Sequence, residues 1–541
     1  MSVSDRYPSL HLATSLMAAS LLLLMICGHA SAQETISVDP QHCRIVLPEA
    51  PAPAQTAAAE QLQSHLALIT GMEVPLTTAG DGAVGYPFYI GVNARGDLFP
   101  MAPEEARWAV TPEATYLYGE DERHAGSQTA VFAFLEDQLG VRWLAPGDLG
   151  LSYVPQESLT LKVGASSWLP VLELRGIRTS ARPGRYPERK PDTEEFFDLF
   201  ARSNEEHDDH AEQVRLWRAR MRMGSHTQIS YGHAFTDWWE RYSDTNPQYF
   251  ALNVWGRREP EALTRPSGVR STFTQRERQS VKLCVSNPDV AEQIVANWVA
   301  EGMRSPWISV CENDLTWGFC RCDNCCALDV HREGEEFVDH LTDRYVYLTN
   351  AVARLAKQHN PNAGAVMYAY EATEQPPRRE RVEPNVVVGI VPTTVDLDKL
   401  EELYGGWSAM GAKKLFHRPN LPLYFHSTAI PIGAERQMFE VLQLAVKHGA
   451  VVADYDSLNG MWPVCGMADY ILARAMSEPE KPFEHWEDHY CAAYGAAADD
   501  VKRYHRYWRE ELWEARLLPD LDAIVTRGKY YNFARGLMWS L

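Results

Sequence analysis

From about residue 170 the chain repeats one unit: a short apolar stretch, a loop, then a long amphipathic segment. That alternation predicts parallel strands joined by helical crossovers, because neighbouring parallel strands need a connection long enough to return the chain. Eight apolar stretches fit: Val171–Arg178, Thr227–Tyr231, Val281–Val285, Trp307–Val310, Ala365–Tyr370, Val386–Val391, Leu423–His426 and Val451–Tyr455. Helical periodicity lies between and after them, over Val290–Met303, Phe337–His359, Ala434–His448 and Met467–Met476. The expectation is a (β/α)8 TIM-type barrel over 166–476. A doubly wound open sheet is the alternative, but no early Gly-rich phosphate loop supports it.

Residues 33–165 read as a smaller α/β domain, with a strand at Ile45–Leu47, a helix over Ala54–Ile69, a strand at Phe88–Val92 and a helix over Ala130–Leu139 closed by Gly140. Residues 477–541 read as a helical C-terminal segment, whose Trp486, Tyr490, Tyr494, Tyr504, Tyr507, Trp508 and Trp513 are expected to pack on the barrel. Residues 1–32 have the form of a cleaved export signal: Arg6, an apolar run from Leu16 to Cys27, and Ala30-Ser31-Ala32 before Gln33. The mature chain is therefore expected to be secreted or periplasmic, with no membrane span after cleavage. The formal charge of −21 argues against nucleic acid and anionic membranes as partners. No cofactor motif stands out, and none is expected.

In a barrel of this kind, chemistry sits at the C-terminal ends of strands and in the loops that follow. The fourth strand runs into Glu312-Asn313-Asp314, and the eighth into Asp454-Tyr455-Asp456. Glycoside cleavage needs a carboxylic acid to protonate the leaving oxygen and a second carboxylate as base or nucleophile. Glu312 or Asp314 is the expected acid, and Asp454 or Asp456 its partner. Tyr368, Tyr370, His233, His417 and Asn313 are candidates for positioning a sugar, and Trp462 for stacking on one. Arg175 and Arg178, in a basic stretch of an acidic chain, are candidates for a substrate carboxylate. The Cys320–Cys326 cluster, in the loop after the fourth strand, has two readings. Disulfides pinning that loop are the expectation in an oxidising compartment; a metal clip using Cys320, Cys322 and Cys325 is the alternative.

Several blocks resemble domain-of-unknown-function family 4838, in its order: Leu283-Cys-Val-Ser-Asn-Pro288, Ser309-Val-Cys-Glu-Asn-Asp314 followed by Cys320-x-Cys322-x-x-Cys325, Tyr368-Ala-Tyr370 with Pro376-Pro377, and Pro384-Asn-Val-Val-Val388. The stretch Phe134–Trp143 is similar to the non-catalytic domain preceding the barrel in α-glucuronidases and β-N-acetylhexosaminidases. The resemblance implies a glycosidase-like barrel with its acid after strand four. The adjacent Asp-Glu pair of the hexosaminidases is replaced here by Glu312-Asn313-Asp314, which points away from substrate-assisted cleavage of N-acetylhexosamines. The expected function is a glycoside hydrolase acting on a poly- or oligosaccharide, with a uronate-bearing chain as one option. The alternatives are a non-catalytic glycan-binding protein on the same scaffold and a metal- or redox-active protein centred on Cys320–Cys326.

Overall fold

The computed structural model describes residues 34–78, 84–92, 101–177, 204–260, 281–314, 317–419, 431, 433–455 and 462–520. The expected signal segment lies outside these residues. Among them, no helix is long and apolar enough to cross a membrane.

The N-terminal part is a six-stranded sheet. Its strands are β1 (Cys43–Leu47), β2 (Leu76–Thr78), β3 (Tyr86–Ile90), β4 (Ala106–Val110), β5 (Thr115–Gly119) and β6 (Gly164–Trp168), ordered β6-β4-β5-β3-β1-β2. Helices α1 (Pro53–Thr70) and α2 (Gly126–Leu139) supply the buried faces against it. Pro53 starts α1 where a missing N–H costs nothing, and Leu62, Leu66 and Ile69 form its inner stripe. As predicted, Gly140 ends α2: its φ of 69° is a left-handed conformation that glycine adopts without a Cβ penalty.

The second sheet holds β7 (Leu174–Ile177), β8 (Gly224–Ser225), β9 (Trp307–Ser309), β10 (Gly364–Ala369), β11 (Val386–Ile390), β12 (Lys414–His417) and β13 (Ala450–Tyr455), in the order β8-β7-β13-β12-β11-β10-β9. Every pair is parallel except β7–β8. The sheet curls into a half-barrel. Val366, Tyr368, Val387, Phe416 and Val452 face its concave side and form one buried cluster with Cys311. The alternate residues, including Val388, Ile390, Leu415, Ala453 and Tyr455, face the surrounding layer. This layer includes α3 (Asn204–Arg220), α4 (Pro288–Ala300), α5 (Thr342–Ala356), α6 (Leu397–Ala409), α7 (Glu435–Lys447) and α8 (Trp462–Ser477).

The prediction of eight laddered strands needs correction. Six of the parallel strands form, but Thr227–Tyr231 carries no strand and Val281–Val285 makes only an isolated bridge, Leu283 to Phe250. The gap between β9 and β7 is spanned instead by residues 226–234, through side chains and isolated backbone bonds. On one side Ser309 Oγ donates to Gly232 O at 2.9 Å and Ala234 N to Cys311 O at 3.0 Å. On the other, His226 N donates to Glu173 O at 3.1 Å and Tyr231 Oη to Asp454 at 2.9 Å. The seventh strand is also displaced. It is Lys414–His417, paired with β11 and β13, whereas the predicted Leu423–His426 lies outside the described residues.

Beyond α8, helices α9 (Phe483–Ala492) and α10 (Ala498–Tyr507) follow. Trp486, Tyr490 and Trp513 are buried, but Tyr494, Tyr504 and Tyr507 are exposed, so the aromatic tail packs only in part. One continuous core runs from β1 through α1 and α2 to Ile177, Tyr455, α8 and α9. At its centre Glu136 of α2 receives Arg474 of α8 at 2.9 and 3.0 Å and Arg222 at 2.7 Å, and both arginines also meet Glu478.

Asp469 of α8 is fully buried with neither carboxylate oxygen hydrogen-bonded, and burial pushes it up to about 8. The folded chain therefore keeps a proton that the unfolded chain releases near its ordinary value of 3.8, so stability falls as pH rises from about 4 to 8. Asp469→Asn is expected to stabilise the chain at pH 7 by on the order of 3 kcal/mol and to gain nothing near pH 3.5, as read by denaturant unfolding at the two pH values. An equal effect at both would disprove the assignment.

Candidate functional site

The parallel strands all end at one rim, where the described residues after β9 and β10 lie beside the ends of β12 and β13. Asp454 is second from the end of β13, on the concave face, and 3% exposed. It accepts from Tyr231 Oη at 2.9 Å, and its charge partly offsets the burial of Arg218. Gly176 of the adjacent strand makes room for it: a Cβ there would sit 3.0 Å from Asp454 Oδ1.

An aromatic floor links Asp454 to the rest of the mouth. The Tyr231 ring meets Phe416 at 4.7 Å, Phe416 lies 6.5 Å from Tyr368, and His233 stands edge-on to Tyr368 at 6.5 Å. Arg418, just past β12, holds its guanidinium 5.1 Å over the Tyr368 ring. Tyr370 is half-buried against the same cluster. His233 Nδ1 lies 2.7 Å from the carbonyl oxygen of Glu312. A carbonyl only accepts, so Nδ1 carries a proton and donates it, leaving Nε2 as the ring's other polar atom.

Beside this floor is a charged group built on Lys282. The Lys282 ammonium is buried, donates to Asn313 O, and lies 3.8 Å from the Glu312 carboxylate. Burial lowers its proton affinity, opposed by the charges of Glu312, Asp314 and Glu371. Asp314 is exposed at the rim. Glu371, in the loop after β10, is exposed, and its carboxyl is pushed up by partial burial and then by the charge of Asp314. Its φ of 52° is left-handed, which costs a non-glycine residue about 1 kcal/mol and persists only where neighbours enforce it. Thr373 does so: its Oγ1 accepts from Tyr370 N at 3.2 Å and lies 3.1 Å from Tyr368 O, to which it donates.

With this geometry in view, the match to the sequence profile described as "Domain of unknown function (DUF4838)" over residues 170–506 is decisive. The chain belongs to the DUF4838 family. No curated protein matches it. Among solved structures, it is similar to a GH115 4-O-methyl-α-glucuronidase with specificity for decorated arabinogalactans, at 10% identity and a TM-score of 0.47, covering 88% of this chain and 62% of that one. The chain thus spans less than two thirds of that enzyme's length. It is also similar to a β-N-acetylhexosaminidase from Bacteroides fragilis NCTC 9343, at 12% identity and a TM-score of 0.41, covering 88% and 94%. A third similar structure is a GH138 enzyme targeting pectin rhamnogalacturonan II, at 13% identity and a TM-score of 0.45, covering 88% and 70%.

Within the DUF4838 domain several sequence expectations are corrected. Arg175 is 1% exposed and its guanidinium grips Glu104 at 2.6 and 3.2 Å, with Leu172 O and Arg222 O taking its other donors. It ties the two sheets together and is not placed to meet a substrate. His417 points away from the mouth: Nδ1 meets Tyr404 Oη at 2.6 Å, Nε2 meets Tyr455 Oη at 3.3 Å, and burial lowers it to about 3, a neutral packing residue. Trp462 packs edge-on against Trp217 at 4.7 Å. Asn313 is a buried brace, accepting from Phe235 N at 3.0 Å and donating to Val281 O at 2.9 Å. Glu312 turns to the flank, beside Lys282 and Tyr345 of α5. Arg178 and Asp456 lie outside the described residues. The expected disulfides are not formed among the described cysteines. The structure brings together Asp454, Tyr368, Tyr370, His233 and Asp314, and it adds Tyr231, Lys282, Glu371 and Arg418. Glu371 had a sequence signal, a carboxylate directly after an apolar strand.

Proposed function

We propose that this chain is a glycoside hydrolase whose half-barrel is the DUF4838 form of a (β/α)8 catalytic domain, acting on poly- or oligosaccharides. Asp454 serves as base or nucleophile, and Glu371, with Asp314 beside it, as the general acid. The observation that carries this reading is the contrast between two carboxyl environments at one rim. Asp454 is buried and accepts from a phenol hydroxyl, while Glu371, at the exposed rim, is pushed toward its neutral form by partial burial and a like charge. Cleavage of a glycosidic bond requires one carboxyl group that keeps its proton as acid and a second group as base or nucleophile. Tyr368 and His233 would orient sugar hydroxyls. Arg418 replaces Arg175 as the cation for a uronate carboxylate. With residues 1–32 as an export signal, the work would be done outside the cytoplasm.

Release of reducing ends by the full chain from a panel of neutral and uronate-bearing oligosaccharides tests the proposal. Glu371→Gln is expected to lower turnover about a hundredfold on natural glycosides, and much less on aryl glycosides whose leaving group needs no proton. Glycan binding by calorimetry with no release from any panel member would replace catalysis with recognition.

A further inference from the structure

Four cysteines converge beside the rim. Cys320, Cys322 and Cys325 come from the loop after β9, and Cys284 comes from the unladdered segment 281–285. Their sulfurs all lie within 4.8 Å of one another. The separations are 3.5 Å for Cys320–Cys322, 3.7 Å for Cys284–Cys322 and 3.9 Å for Cys284–Cys325. A disulfide needs about 2.05 Å between sulfurs. A tetrahedron of thiolates around zinc, at about 2.3 Å each, puts its sulfurs about 3.8 Å apart. The observed spacings are those of the tetrahedron.

The surroundings fit such a site. Cys284, Cys320 and Cys325 are buried and Cys322 is half-buried, so four protein ligands would close the shell against water. Four thiolates on a divalent ion carry net negative charge, and donors are in place to meet it. Leu252 N donates to Cys320 Sγ at 3.3 Å, Ser286 Oγ lies 3.1 Å from Cys325 Sγ, and Arg258 hydrogen-bonds Cys284. Cys326 is exposed and stands outside the group. The loop's other end is anchored separately, by buried Arg344 donating to Cys320 O at 2.7 Å and pairing with Asp329.

We propose that Cys284, Cys320, Cys322 and Cys325 bind one zinc ion in a closed structural site, which clips the Glu312–Asp314 loop to the segment carrying Lys282. The site does not depend on the glycosidase reading and is tested without substrate. Elemental analysis of the purified full chain is expected to find roughly one zinc per chain, released when a mercurial titrates the thiols. Cys284→Ser and Cys325→Ser should each lose the metal, and Cys326→Ser should keep it. Differential alkylation and mass spectrometry of the unreduced wild type covers the case in which the variants fail to fold: zinc-protected free thiols at the four positions support the site. Disulfides among them, no stoichiometric metal, iron in place of zinc, or zinc retained in Cys284→Ser would each overturn it.

Discussion

Asp454→Asn is expected to lower turnover about a thousandfold or more while the chain unfolds at the wild-type temperature. The substitution is isosteric. The asparagine carbonyl still accepts from Tyr231 Oη, and Gly176 leaves room for either side chain. What disappears is the charge, the one property that base or nucleophilic catalysis needs. Tyr231→Phe removes a single hydrogen bond to that carboxylate and should cost nearer tenfold. Thermal melts beside initial rates separate the two quantities. Full activity in Asp454→Asn would remove this residue from the reaction, whatever the substrate proves to be.

Glu136→Ala should destabilise the fold by about 3–5 kcal/mol, the largest stability effect of any single replacement named here. Glu136 is 3% exposed and neutralises Arg222 and Arg474, which are 5% and 3% exposed. Removing it leaves two buried guanidinium groups with Glu478 as the carboxylate still bonded to both. Asp500→Ala, which breaks the exposed Asp500–Arg503 pair, provides the contrast and should change stability by less than about 1 kcal/mol. Urea unfolding of the two variants reads the difference directly. Glu478 adds a pH signature. Burial alone would raise its carboxyl, but Arg474, Arg222 and Lys481 outweigh that and hold it at about 2. Its contribution is full above its ordinary value of 4.5 and fades as pH falls toward 2.

Parallel strands buried on both faces leave the plainest mark in a sequence, a continuous apolar run. Val386–Ile390, Gly364–Ala369 and Ala450–Tyr455 were legible for that reason. Lys414–His417 was not, because Lys414 and His417 interrupt the run and Leu423–His426 offered a similar one nearby. Thr227–Tyr231 and Val281–Val285 have strand-like composition, but hydrogen bonds to partner strands, which composition does not encode, are missing. The site divided along the same line. Asp454 stands near the end of its strand and Asp314 in the loop after its own, and both could be read from position alone. Arg175 and His417 have the residue types of a binding site, yet their partners Glu104, Tyr404 and Tyr455 show them to be packing groups. Cys284, remote in sequence from Cys320, could join the cysteine group only through the fold.

The unlaced stretch between β9 and β7 has a mechanical consequence. Elsewhere around the half-barrel, backbone ladders fix the wall, so widening it would break several hydrogen bonds at once. Along residues 226–234 the wall is fastened by side chains, Ser309 and Tyr231 among them, and by two isolated backbone bonds, His226 N to Glu173 O and Ala234 N to Cys311 O. The side-chain fastenings can be exchanged by point substitution without disturbing the strand register on either side. The entrance is therefore softer on that one flank than along the laddered back wall.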